Sequence, residues 1–226
     1  MNAQLKYPAP HTLYAIVADN KPKNYLFEES VQTLITPNSD KVTLHPKKYL
    51  LIKTDARGYI EYANTYFLEA TGYDEKEILG MHFSILWHPD VPETIYTYFR
   101  EKLQQKESFR FIHKNLAKNG AYFWTHTETH IKVNKASNQT TGYFFYARAL
   151  PTYAHKQIAS FYEQLHTLEE VRDIQTALHF MKSHFAQKET TYEDYVAKLS
   201  QPNTFADKLA SLQKLFSKEE ESLLTT

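Results

Sequence analysis

The sequence predicts an α+β fold: a five-stranded antiparallel sheet with short helices between strands two and three, followed by a mainly α-helical C-terminal region. Three observations carry this expectation. Apolar and polar residues alternate strand-like over Tyr49–Lys53, Tyr59–Ala63, Phe109–Asn115, Tyr122–Val133 and Gly142–Leu150. Between the second and third of these runs the period becomes helical. All five glycines (Gly58, Gly72, Gly80, Gly120, Gly142) fall within residues 47–151, whereas residues 152–226 have none and repeat apolar residues at three-four spacing.

Each element has its own local reason. Residues 1–46 hold five of the nine prolines and only short apolar stretches, Leu13–Val17 and Leu26–Ile35. They read as an N-terminal extension, with room for a small strand and a short helix. The main domain spans residues 47–151. It opens with a hairpin, Tyr49–Lys53 and Tyr59–Ala63 joined by the turn Asp55–Gly58. From Asn64 to Leu86 the chain reads as short helical pieces interrupted at Gly72-Tyr73 and Gly80. Asn64 is an N-cap, and Asp74 with Glu77 three residues later is a capping box. Pro92 opens a longer helix to about Gln105, its missing N–H harmless in the first turn. The last three strands follow, the first two joined at Asn119-Gly120 by a hairpin turn. Residues 152–226 form the C-terminal region. Ile158, Phe161, Leu165 and Leu168 make one apolar register and Val171, Ile174, Leu178, Met181 and Phe185 another, offset at Leu168–Val171. Unbroken, residues 155–187 would form a rod of roughly 50 Å. Such a segment serves either as a helical subdomain packed on the sheet or as a dimerising, signal-carrying helix. Pro202 and Asn203 precede a final helix, Phe205–Phe216, and a solvated acidic run, Glu219–Glu221.

Composition removes several function classes. The chain has 226 residues, no cysteine, and 26 basic residues against 26 acidic ones. Without cysteine there is no disulfide scaffold, cysteine-ligated metal or thiol nucleophile. The glycines lie too far apart for a phosphate-cradling loop. The balanced charge and scattered lysines offer no nucleic-acid stripe. No apolar run approaches the ~18 residues of a membrane span, and the N-terminus lacks a signal-peptide pattern. The reading is a cytoplasmic globular protein, about one and a half domains at ~150 residues each.

The ordered motifs Gly58-Tyr59-Ile60, Ala63-Asn64, Phe67, Thr71-Gly72-Tyr73, Leu79-Gly80, His88-Pro89-Asp90-x-Pro92, Lys118-Asn119-Gly120, Phe123-Trp124 and Gly142-Tyr143 resemble a PAS sensor domain. The His-Pro-Asp-x-Pro segment and Lys114-Asn115-x-x-Lys118-Asn119-Gly120 resemble, more narrowly, the flavin-binding PAS domain of bacterial aerotaxis and energy-taxis receptors. The resemblance implies the PAS fold and a non-covalently bound flavin, FAD ahead of FMN. It nominates Asn115 for the flavin edge, because an amide both donates and accepts, together with Thr125 and Asn64. Trp87, His88 and Asp90 align with the family's Arg-His-Pro-Asp motif, with Trp87 in place of the arginine. Arg100 and Phe109 stand where the family carries tryptophans, and Arg100 is a candidate to supply the missing positive charge for a pyrophosphate. Asp90 can equally cap the helix after Pro92. Without cysteine, the cysteinyl photochemistry of light-sensing relatives is excluded, which leaves redox or ligand state as the signal.

Two further readings accompany this one. His82, His113 and His155 are candidate axial ligands for haem b, ranked below flavin, and a ligand-free interaction module is the third possibility. Phe123, Thr125, Thr127 and Thr129 share one strand face, taken as the inner one. His126, Glu128 and His130 share the other, where a solvated face is favoured over a metal site. No catalytic constellation stands out, so the expected role is a sensor rather than an enzyme. It would act as a homodimer through its C-terminal helices, or on a separate signalling protein such as a chemotaxis transducer.

Overall fold

The computed structural model describes residues 35–201. The elements expected before residue 35, the Phe205–Phe216 helix and the acidic run lie outside those residues. The described chain runs β1 (Tyr49–Asp55), β2 (Ile60–Ala63), α1 (Thr65–Thr71), α2 (Glu75–Ile78), a 3-10 turn (Phe83–Leu86), α3 (Glu93–Gln104), β3 (Phe109–Leu116), β4 (Tyr122–Val133), β5 (Thr140–Ala149), α4 (Thr152–Val171), α5 (Ile174–Ala186) and α6 (Tyr192–Ser200). The five strands form one antiparallel sheet in the order β2-β1-β5-β4-β3. This is the PAS fold expected from the sequence, and the strand limits agree within two residues.

The local signals act as their chemistry dictates. Asn64 Oδ1 accepts from the Phe67 N–H at 3.0 Å and the Leu51 N–H at 3.1 Å, while its Nδ2 donates to the Tyr49 carbonyl at 2.9 Å. One side chain thus caps α1 and ties it to β1. The Glu77 carboxylate accepts from the Asp74 N–H at 3.0 Å, completing the capping box. At Gly58, where φ is +91°, a Cβ would lie 2.5 Å from His82 Nε2, so only glycine lets the first hairpin pack against the 3-10 turn. Residues 38–42 run beside the start of β4, with Asn38 N–H bonded to the Gly120 carbonyl and Val42 N–H to the Tyr122 carbonyl, each at 2.9 Å. The described end of the N-terminal extension therefore docks on the domain.

The C-terminal region departs from the rod. The helix breaks at Arg172 (φ −128°, ψ −101°), and Asp173 restarts it by accepting the Thr176 N–H at 2.7 Å. The register change at Leu168–Val171 is a bend between two packed helices. Helix α4 buries Ile158, Phe161, Tyr162 and Leu165, and α5 buries Leu178, Met181 and Phe185. These apolar seams are covered within the chain: α5 packs on α3 and α4, and α4 lies on the outer face of β3 and β4. There Tyr162 Oη donates to the Ile112 carbonyl at 2.6 Å and its ring lies 6.2 Å from that of Trp124. The solvated outer face expected for His126, Glu128 and His130 is corrected at its first member. His126 is buried, Glu128 pairs with Arg110 at 2.9 Å, and His130 is exposed. Among the described residues, no three His, Asp or Glu side chains converge as a metal site. Over β1, β2 and β5 no described helix covers the outer face, and Tyr49, Tyr62 and Tyr146 are exposed.

Candidate functional site: an apolar cavity with a polar wall

The inner face of the sheet and the segment from α1 to the 3-10 turn enclose a cavity. Leu50, Ile52, Phe67, Phe83, Leu86, Phe111, Phe123, Phe145 and Ala147 make most of its lining. Strand alternation brings the β-residues there, since every second side chain of β1, β3, β4 and β5 faces inward. The indole of Trp87 closes one side. It stacks on the Tyr96 ring at 3.9 Å between centroids and 13° between planes. About 50 Å³ is open to the centre of a water molecule. A cavity that admits benzene is on the order of 150 Å³. A flat tricyclic ring can therefore enter only if part of this wall moves.

The polar wall is a chain of buried side chains. Tyr96 Oη lies 3.0 Å from His113 Nε2, His113 Nδ1 lies 2.9 Å from Asn115 Oδ1, and Asn115 Nδ2 donates to Thr125 Oγ1 at 2.8 Å. Thr125 Oγ1 continues to Thr127 Oγ1 at 3.1 Å. The directions follow from the one acceptor-only atom, Asn115 Oδ1. His113 donates to it from Nδ1, so His113 Nε2 accepts from the Tyr96 hydroxyl. Burial holds the His113 imidazole neutral and lowers its pKa to about 4, outweighing the opposite effect of its bond to Asn115. Amide, imidazole and hydroxyl groups in an apolar chamber suit a planar ligand whose edge carries both donors and acceptors.

The predicted residues fall into three groups. Asn115, Thr125 and Trp87 lie on the cavity wall. His88 and Asp90 stand beside it and anchor the segment that carries Trp87. Trp87 pairs with Asn115 through a backbone bridge, His88 Nδ1 accepts the Asp90 N–H at 3.1 Å, and Asp90 pairs with Lys114 at 2.5 Å. His88 is buried, and its pKa falls to about 4 through desolvation and then the Lys114 cation. Asp90 does not cap α3, whose N-cap is Pro92. Asn64, Arg100 and Phe109 are not in the lining. Asn64 is committed to the α1 cap, Arg100 pairs with Glu93 and Thr97 on α3, and Phe109 packs on Phe99 at 5.1 Å. The cation at the His-Pro-Asp segment is Lys114, not Arg100. As for the haem candidates, both His113 nitrogens are engaged. His82 Nδ1 is bonded to Ser84, and His155 lies on the outer face against Trp124.

Sequence reasoning missed the part played by Tyr96 and named His113 only as a haem candidate. The position of His113, two residues before Asn115 on one strand face, was a readable signal. Nothing in the spacing places Tyr96 across from it.

A family model agrees with the architecture. Residues 60–143 match the family model described as PAS fold. The aerotaxis receptor of Escherichia coli (strain K12) is 33% identical over 89 residues, which is 39% of this chain and 16% of that receptor. Among solved structures, a light-oxygen-voltage domain studied with a flavin analogue has a TM-score of 0.46 at 21% identity, covering 52% of this chain and 88% of that one. A PAS domain from Colwellia psychrerythraea has a TM-score of 0.41 at 19% identity, covering 45% of this chain and 85% of that one. By the family model and the receptor match, residues 60–143 form a PAS sensor domain. Within that family, the domain resembles the one found in aerotaxis receptors.

Proposed function

We propose that the PAS domain binds a flavin non-covalently in this cavity, FAD ahead of FMN, and relays redox or oxygen state to a partner signalling protein in the cytoplasm. The observation that carries this reading is the Asn115–Thr125 pair on an otherwise apolar wall, both at positions the family resemblance marks for the flavin edge. Asn115 and Thr125 would hold the ring edge, Trp87 would cover a ring face, and the His88–Asp90 segment would support Trp87. Flavin supplies reversible electron transfer. The protein's part is to exclude water and to re-pair amide and hydroxyl groups when the ring edge changes charge or protonation. The role is a sensor's and not an enzyme's.

The relationship to an aerotaxis receptor supports a signalling output, with a chemotaxis transducer as one candidate partner. No described helix is long and apolar enough to cross a membrane. A homodimer built on the C-terminal helices would use their outer surfaces, because their apolar seams are buried within the chain. One observation favours a second reading, a ligand-free interaction module: the cavity is small and its polar groups are already paired with one another. Absorbance of freshly purified protein separates these readings. A band near ~450 nm that bleaches with dithionite supports flavin. A Soret band assigns haem b instead, and a colourless protein with no affinity for added FAD or FMN assigns the ligand-free module.

A further inference from the structure

Helix α3 has two working faces. Tyr96 and Phe99 point toward the sheet, where Tyr96 meets Trp87 and His113, and Phe99 lies 5.3 Å from Phe111 of the cavity wall. Thr94, Tyr98 and Glu101 recur at i, i+4 and i+7, so they share another face. Every one of them bonds a C-terminal helix. Thr94 donates from both its N–H and its Oγ1 to Glu169 Oε1 of α4, each at 2.6 Å. Glu101 pairs with Lys182 of α5 at 2.7 Å, and Tyr98 Oη donates to Glu193 of α6 at 2.9 Å. Glu169 is mostly buried, is held from its other oxygen by His166 at 3.4 Å, and lies three residues before the break at Arg172. This contact is polar and directional, unlike the apolar seam by which α4 sits on the sheet. A small shift of α3 would break such bonds while leaving the seam intact.

We propose that α3 transmits the state of the cavity to the C-terminal helices. A planar ligand displaces the Trp87–Tyr96 pair to gain room, α3 moves with Tyr96, and the Thr94–Glu169 clasp opens at the end of α4. The identity of the ligand rests on the flavin reading above; the linkage between Trp87 and Glu169 does not. Linkage is reciprocal, so weakening the clasp must also alter the cavity and ease ligand entry.

The full chain labelled with 5-fluorotryptophan tests this without any ligand. It has two tryptophans, Trp87 at the cavity and Trp124 under α4. In Glu169→Ala, and to a smaller extent in Glu169→Gln, the Trp87 fluorine resonance should shift while that of Trp124 stays in place. Trp124→Phe assigns the two signals. If neither resonance moves, or if both move together, the route through α3 is wrong. In a companion titration, Glu169→Ala should bind FAD about five-fold or more tightly than the parent. Equal affinity in a protein that binds FAD overturns the linkage. A shifted Trp87 with no FAD binding by either protein keeps the linkage and removes flavin as the ligand.

Discussion

The two faces of the sheet are both buried at β3 and β4, yet they are filled differently. On the outer face, large side chains from α4 and α6 close the interface, and the tyrosine hydroxyls are committed to the strand backbone and to each other. Tyr162 bonds the Ile112 carbonyl at 2.6 Å and Tyr192 at 2.9 Å. On the inner face the polar side chains bond mainly to other side chains, beside a cavity. Bonds to the backbone hold strand and helix in one relation. A side-chain chain such as Tyr96–His113–Asn115–Thr125 can re-pair without unravelling a strand. The outer face is therefore built for stability and the inner face for exchange.

The sharpest way to break the outer face is Tyr162→Ala. Loss of a fully buried aromatic and its hydrogen bond should cost about 3–5 kcal/mol, read as a lower urea midpoint. An equal loss of stability from Thr125→Val on the inner face would remove the distinction.

Acid comes next and reaches both faces. His113 and His88 on the cavity side and His126 on the outer side are each held at a pKa of about 4 by burial. An unfolded histidine titrates near ~6.5. Between those values the unfolded chain binds more protons, so the contribution of these three histidines to stability falls as pH drops from about 6.5 toward 4 and is flat above. The expected loss is about 2 kcal/mol per histidine at pH 5. Replacing His126 with asparagine should flatten the slope of urea stability against pH by about one proton. An unchanged slope would show that His126 does not carry it.

Smaller effects sharpen the inner face. Asn115→Ala should weaken flavin retention by about ten-fold, the worth of one or two hydrogen bonds. Equilibrium dialysis of the parent and variant measures it, and unchanged stoichiometry and affinity would place the ring edge elsewhere. Thr125→Val should cost ~1 kcal/mol of stability or less, because Asn115 Nδ2 also faces the His113 and Phe123 carbonyls at 3.3 and 3.4 Å. It should still weaken flavin retention. A stability loss of about 3 kcal/mol or more alongside the weaker retention would make Thr125 a structural residue.

Most of the fold was legible because its signals are local. Asn64 caps, the Asp74–Glu77 box, the Gly58 and Gly120 turns and the period-two runs act within a few residues of themselves. The site was legible in part for the same reason. Thr125 and Thr127 share the inner face by alternation alone, and Asn115 and Trp87 follow from motifs. Arg100 and Phe109 were carried over from the resemblance to places the fold does not bring to the cavity. Arg100 satisfies itself within its own helix, on Thr97 one turn away and Glu93 two turns away.

By itself the sequence determined the order and faces of the strands, the caps, the absence of thiol chemistry and the amphipathic seams of the C-terminal helices. Each depends on short-range geometry or on composition. Tertiary structure alone decided that those seams turn inward, α4 onto β3 and β4 and α5 onto α3 and α4. It also decided that Tyr96 meets His113 and that Glu169 reaches Thr94 across 75 residues. Such contacts depend on where a helix crosses a sheet, and apolar periodicity sets which face is buried without naming what it is buried against.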